Sequence, residues 1–268
     1  MANKQPLSVE ELELSYFQLQ AYWGATKHAG GLKATRELIS LCHITKHQHI
    51  LDIGCGAGTT PTHLAKTHHT TVTALDINRK MVQWTKERAK REGVADQVHL
   101  IIADAQHLPL QDAHFDAVIG ESITAFLQEK PRGLSEYVRV TKPEGYVGLN
   151  EMIWTNTPAP TELVEYYYRT TGAKPETSEG WKALMESSGL RNIVVRTYRL
   201  NLVSDVINRI RRLGSKDFSR ALSRFLSLYI TSPAFRRYAK ETQPPLRITK
   251  EIFEYLGYGL YVGRKQKR

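Results

Sequence analysis

Residues 51–58 read Leu51-Asp-Ile-Gly-Cys-Gly-Ala-Gly58, and this stretch decides the fold. It begins inside a short apolar run, His49 to Ile53, that ends in glycines, the pattern of a buried parallel strand. Thr59 to His68 follows as a helix, with Thr59 and Thr60 available as N-cap and Pro61 at a tolerated first-turn position. Glycines between a strand and a helix let a ligand approach the backbone, and the helix N-terminus adds amide donors. A dinucleotide fingerprint would place its third glycine at position 59, where this chain has Thr59. The carboxylate of Asp52, just ahead of the glycines, would repel a pyrophosphate and suits a ligand bearing an ammonium group.

Outward from this motif, strands and helices alternate. Thr71 to Leu75 is a second strand, and Asn78 to Gly93 a helix with Asn78 as N-cap and Gly93 as its stop. Strands follow at Val98 to Ala103 and Phe115 to Gly120, then a helix at Lys130 to Val140, a Pro143-Glu-Gly turn and a strand at Tyr146 to Glu151. This rhythm predicts βαβ units and a parallel sheet. Val9 to Leu41 reads as two amphipathic helices broken at Gly30-Gly31. Beyond residue 151 come a helix at Ser178 to Ser188 stopped by Gly189, a strand at Asn192 to Leu200, a basic helical stretch and a closing strand at Tyr258 to Gly263.

An open α/β sheet binds its ligand at the carboxyl ends of its strands. Asp76 ends the second strand, where a carboxylate can accept both hydroxyls of a ribose. Asp104-Ala105 follows the third, where a side chain and a backbone amide can read an adenine edge.

Composition bounds the rest. With 268 residues, 41% hydrophobic and 24% charged, the chain is expected to form one α/β domain with additions. No apolar run approaches the ~18 to 20 residues of a membrane span, and the polar opening MANKQPLSVEELEL lacks a signal-peptide core. Two cysteines, Cys42 and Cys55, supply neither a disulfide framework nor a thiolate metal cage, so no metal is expected and a cytoplasmic setting is the default. The net charge of +10 is confined to one region: Leu200 to Arg268 carry 15 Lys and Arg against 5 Asp and Glu, and the first 199 residues balance. Whatever the first 199 residues do, they need no polyanion to do it.

At this point the chain resembles the class I S-adenosylmethionine-dependent methyltransferases of the methyltransferase-11 type. The resemblance is carried by LDIGCGAG (51–58), TALDIN (73–78), ADAQHLPLQDAHFDAV (103–118) and RVTKPEGYVGLNE (139–151). It covers Ile50 to Glu151, with weaker support at Trp181 to Tyr198 and Tyr258 to Lys265. Glu144 departs from it, standing where relatives commonly have glycine. The resemblance implies a Rossmann-like seven-stranded sheet in the order 3-2-1-4-5-7-6 with strand seven antiparallel. The expected organisation is an N-terminal helical lid (1–46), the core (47–200), a basic helical insertion between strands six and seven (201–257), and a final strand with basic tail (258–268).

The resemblance also implies S-adenosyl-L-methionine as cofactor. Asp52, Gly54, Cys55, Gly56 and Gly58 would hold its methionine end and Asp76 its ribose. Asp104 and Ala105 would contact the adenine, Ile77 and Met81 would pack near the purine, and Gly120 would lie beside the sulfonium. Transfer from a sulfonium needs positioning first, and a base only where the acceptor carries a proton. Glu121 and Glu151 are expected to face the acceptor space, and His28, near the Gly30-Gly31 turn, is the third catalytic candidate. Tyr16, Tyr22, Trp23 and Trp154 are candidates to line the acceptor pocket.

The expected partner is a small molecule, including a lipophilic one such as a quinone, lipid or natural-product precursor; nucleic acid is not expected. Arg209, Arg211, Arg212, Lys216, Arg220 and Arg224 on the insertion suggest peripheral contact with an anionic membrane. The alternative is a nucleic-acid or protein methyltransferase docking through the same basic region.

Overall fold

The computed structural model describes residues 28–200, 223, 225–241 and 245–267. Tyr16, Tyr22, Trp23, Arg209, Arg211, Arg212, Lys216, Arg220 and Arg224 lie outside them, as do most of the lid and the first part of the insertion. The described elements are α1 (Gly31–Leu41), β1 (His49–Ile53), α2 (Thr59–His68), β2 (Thr71–Asp76), α3 (Arg79–Glu92), β3 (Val98–Ile102), β4 (Phe115–Glu121), α4 (Lys130–Val140), β5 (Thr141–Trp154), α5 (Thr161–Thr171), α6 (Ser178–Ser187), β6 (Leu190–Arg199), α7 (Pro233–Glu241), α8 (Leu246–Tyr255) and β7 (Leu256–Lys265). The long strands lie in the order β3-β2-β1-β4-β5-β7-β6, as expected, and Glu176–Thr177 pairs with the end of β5 as a short eighth strand. β7 runs antiparallel to both β5 and β6; β1 to β5 are parallel. No helix among the described residues is long and apolar enough to cross a membrane.

Alternation along the strands divides the buried side chains between the two faces of the sheet. Leu51, Ile53, Val118, Val147 and Leu149 pack with α4 and α6 through Leu134, Tyr137, Trp181 and Met185. Ile50, Val72, Ala74, Ala117, Ile119 and Leu260 pack on the other face with α1 and α2 through Leu38, Ile39, Leu64 and Ala65. Asn78 caps α3 by accepting from the Lys80 amide, and Gly93 ends it with a φ of +73°. At α2 the expected threonine cap does not form: Gly58 is the N-cap, at φ +79°, and no side chain caps the helix. The left-handed glycine turns the loop sharply enough that both threonines already lie in the first turn.

β5 is longer than the expected run, extending from Thr141 through the Pro143-Glu-Gly segment, with an irregularity in its pairing to β4 between Phe115 and Ala117. Glu144 there has a φ of +67°, which accounts for glycine being common at this place. The Glu144 conformation is tied down by Arg264, whose Nε donates to its carbonyl at 3.1 Å and whose Nη2 lies 2.6 Å from its Oε2.

α1 reaches the sheet closely because β5 has a glycine beneath it. A Cβ on Gly148 would lie 2.5 Å from the Cys42 sulfur and 3.1 Å from Leu38 Cδ1. Gly148→Ala is therefore expected to lose ~1–3 kcal/mol of stability through overpacking, measured by urea unfolding. Adding Cys42→Ala should recover most of that loss; equal stability of Gly148→Ala and wild type would refute this close docking.

Candidate active site

The loop after β1 is held in shape by close packing and by hydrogen bonds to its neighbours. A Cβ on Gly54 would meet Ile123 Cγ1 at 2.8 Å, and one on Gly58 would meet the Thr85 Cα at 2.8 Å, so neither position tolerates a side chain. Both also have left-handed φ, +70° and +79°. The loop is tied to its neighbours by hydrogen bonds: Cys55 N to Leu75 O at 2.8 Å, Thr85 Oγ1 to Gly56 O at 2.8 Å, and Arg88 Nε to Ala57 O at 2.7 Å. Cys55 is buried with its thiol pKa pushed up by desolvation and then by the charges of Asp52 and Asp76, so it contributes its backbone rather than a thiolate.

Asp76 joins this loop to the end of β2. Its Oδ2 accepts from Gly56 N at 2.9 Å and its Oδ1 from Asn78 N at 2.9 Å. Beside it Ile77 is 67% exposed, an open apolar shelf, while Met81 is buried. At the end of β3, Asp104 Oδ1 accepts from Gln106 N at 2.9 Å, and Ala105 is buried.

Asp52 differs from these acids. It is 2% exposed, and its Oδ2 has no hydrogen-bond partner among the described residues. Burial raises its pKa well above the usual carboxylate range, with the negative charges of Glu121 and Asp76 adding to the effect. A cation held against it would relieve both penalties. The orphaned buried oxygen, the shaped glycine loop, the Asp76 carboxylate and the open shelf at Ile77 fit S-adenosylmethionine, with its ammonium, ribose hydroxyls and purine.

Glu121, at the end of β4, accepts on every side. Thr60 Oγ1 donates at 2.8 Å, Thr35 Oγ1 lies 3.1 and 3.2 Å from its two oxygens, Asn150 Nδ2 donates at 3.2 Å, and His28 Nε2 lies at 3.3 Å. His28 Nε2 is also 2.9 Å from Thr35 Oγ1. His28 is thus held in a buried network rather than offered on a flexible turn. Asn150 donates to the Ala29 carbonyl as well, at 3.1 Å, so the chain entering α1 is clipped to the ends of β4 and β5. Sequence reasoning passed over Asn150, Thr35 and Thr60. For Asn150 a signal existed: a lone amide inside the apolar run of β5.

Glu151 does not share the space of Glu121, as the sequence led us to expect. Register pairs Glu121 with Asn150, so Glu151 falls on the opposite face of the sheet. It is fully buried, and its Oε1 accepts from Ile123 N at 3.1 Å and Thr124 N at 2.6 Å. Ser122, between the two glutamates, has a left-handed φ of +57°, which costs a serine ~1–2 kcal/mol. Trp154 stands edge-on to Tyr167, with ring centroids 5.9 Å apart, and packs with Leu163, Tyr166, Ile248 and Ile252 in a small core beneath α8.

Desolvation raises the Glu151 pKa from 4.5 to about 7, against the lowering effect of the amides of Thr124 and Ile123. The folded state then binds this proton more tightly than the unfolded chain, so the contribution to stability is full below pH 4.5 and lost as pH rises through 7. Glu151→Gln removes that loss. Its stability relative to wild type should improve by ~2–3 kcal/mol between pH 5 and pH 8, measured by urea unfolding at each pH. An unchanged difference across this range would refute the buried, raised state.

Comparison with known proteins agrees with this geometry. Residues 51–149 match the family model described as a methyltransferase domain. An uncharacterized methyltransferase, YodH of Bacillus subtilis, is 30% identical over 181 residues, 66% of this chain and 74% of that protein. The 27-O-demethylrifamycin SV methyltransferase of Amycolatopsis mediterranei is 28% identical over 59% of this chain and 66% of its own length. The chain spans between 59% and 71% of the first four curated relatives it matches. In fold it is similar to a SAM-dependent methyltransferase from Geobacter sulfurreducens solved with S-adenosylhomocysteine, at a TM-score of 0.70 and 17% identity, covering 97% of this chain and 99% of that one. The chain belongs to the class I S-adenosylmethionine-dependent methyltransferases.

Proposed function

We propose that this protein transfers the methyl group of S-adenosylmethionine to a hydroxyl of a small-molecule acceptor, in the manner that the name of the rifamycin-modifying relative describes for that protein. The observation that carries the cofactor assignment is the buried, unpartnered oxygen of Asp52 beside the glycine loop. The cofactor supplies a methyl on a positively charged sulfur, a leaving group that needs no further activation. Asp52 binds the ammonium, and the Gly54–Gly58 loop gives room and amides to the methionine end. Asp76 binds the ribose, Asp104 and Ala105 the adenine edge, and Ile77 with Met81 the purine face. Gly120 leaves space beside the sulfonium.

A hydroxyl acceptor must lose its proton as the methyl arrives, and the His28–Glu121 pair serves that need. Thr35 Oγ1, which gives its own proton to Glu121, accepts the Nε2 proton, which sets the tautomer and leaves Nδ1 as the ring nitrogen able to take a proton. Glu121 also stabilises the imidazolium that forms. The setting is cytoplasmic. Contact of the basic C-terminal region with anionic membrane gains some support from Ile230 and Leu246, which are exposed apolar residues on its helices. It predicts cosedimentation with phosphatidylserine vesicles at low salt and release at high salt; no sedimentation at low salt would exclude it.

Calorimetry with S-adenosylhomocysteine and turnover on a panel of hydroxylated acceptors test the main reading together. Asp76→Ala should weaken product binding by ~1–3 kcal/mol. His28→Gln should lower turnover by ~10²-fold or more while leaving that binding intact. No binding by wild type would overturn the cofactor assignment, and full turnover by His28→Gln would overturn the base.

A further inference from the structure

Glu121 and Glu151 hold the turn after β4 from opposite faces of the sheet. On one side Glu121 is fixed by Thr35, Thr60, Asn150 and His28. On the other, a single oxygen of Glu151 takes the consecutive amides of Ile123 and Thr124. Ser122 lies between, its amide donating to Asn150 O at 2.7 Å and its φ at +57°. A serine does not stay left-handed by its own preference; it does so where its neighbours over-determine the backbone. The turn delivers Ile123 to the cofactor loop. Cβ atoms built on Gly54 and Gly120 would lie 2.8 Å and 3.0 Å from the Ile123 side chain, so that side chain rests on both glycines.

We propose that Glu151 is a positioning residue for cofactor binding: by holding the Ile123 and Thr124 amides it keeps Ser122 left-handed and Ile123 seated on Gly54. This rests on the reading that the Gly54–Gly58 loop receives S-adenosylmethionine. Glu151 acts through the turn, from the face of the sheet opposite the Glu121 network. A carboxylate or amide oxygen at this place can accept both N–H groups; a methyl cannot.

The test uses the full chain and two readouts, one of them free of any cofactor. Amide hydrogen exchange of the ligand-free protein reports residues 122–125, and calorimetry reports S-adenosylhomocysteine affinity. Glu151→Ala is expected to speed exchange there and to weaken affinity, each by ~10-fold or more, the scale of one lost buried hydrogen bond. Glu151→Gln should restore most of both. Adding Ser122→Gly to Glu151→Ala should restore affinity without restoring protection, because glycine takes a positive φ freely. Ile123→Ala leaves every hydrogen bond of the clamp in place and should weaken affinity alone, which serves if Glu151→Ala does not fold.

Unchanged exchange in Glu151→Ala would overturn the clamp. Faster exchange with affinity within twofold of wild type would overturn the positioning role while leaving the proposed function intact. Turnover lost equally in Glu151→Gln and Glu151→Ala, at unchanged affinity, would make Glu151 a base instead. Absence of binding by wild type itself would overturn the cofactor reading and this inference with it.

Discussion

Four carboxylates lie at the carboxyl ends of adjacent strands, largely withdrawn from water, and a buried carboxylate is costly unless donors replace its hydration. The architecture of the site follows from how each is satisfied. Asp76 takes two backbone amides and thereby shapes the glycine loop. Glu151 takes two more and shapes the turn after β4. Glu121 takes side-chain donors from two helices and a neighbouring strand, with the His28 ring 3.3 Å away. Two oxygens of these four acids keep no partner among the described residues: Oε2 of Glu151, on the opposite face of the sheet from Glu121, and Oδ2 of Asp52, beside the glycine loop. Asp76, Glu121 and Glu151 each fix a piece of backbone or a helix, and the proposed ligand contact falls to Asp52.

The Glu121 network also explains how the region before α1 is joined to the sheet. Thr35 on α1, Thr60 on α2 and Asn150 on β5 converge on one carboxylate because Gly148 lets α1 settle close to β5. Packing and polar contacts therefore depend on each other here. An apolar clash at Gly148 would move Thr35, and with it the donors that make a buried Glu121 tolerable. The same contacts hold His28 in place, so the orientation of a proposed base is inherited from the docking of a helix.

Much of this was legible in the sequence. Asp52, Gly54, Gly56, Gly58 and Asp76 follow from strand length, glycine spacing and the rule that ligands gather where parallel strands end. The cap at Asn78 and the stop at Gly93 follow from side-chain and backbone chemistry within a few residues. The threonine cap of α2 was misplaced because the chain turns on Gly58, and a sequence does not announce which of several adjacent residues takes the left-handed conformation.

The sequence by itself determined the order of elements, the sheet class, the glycine loop and the acids at the strand ends, because each is encoded by residues near one another in the chain. Only the tertiary structure decided that Glu121 and Glu151 face opposite ways. That depends on the register between β4 and β5, which shifts at an irregularity between Phe115 and Ala117. A displacement of one residue exchanges the faces of every side chain that follows. It likewise decided that His28 belongs with Glu121, 93 residues further on, since no local pattern links them and only the packing of α1 over Gly148 brings them together.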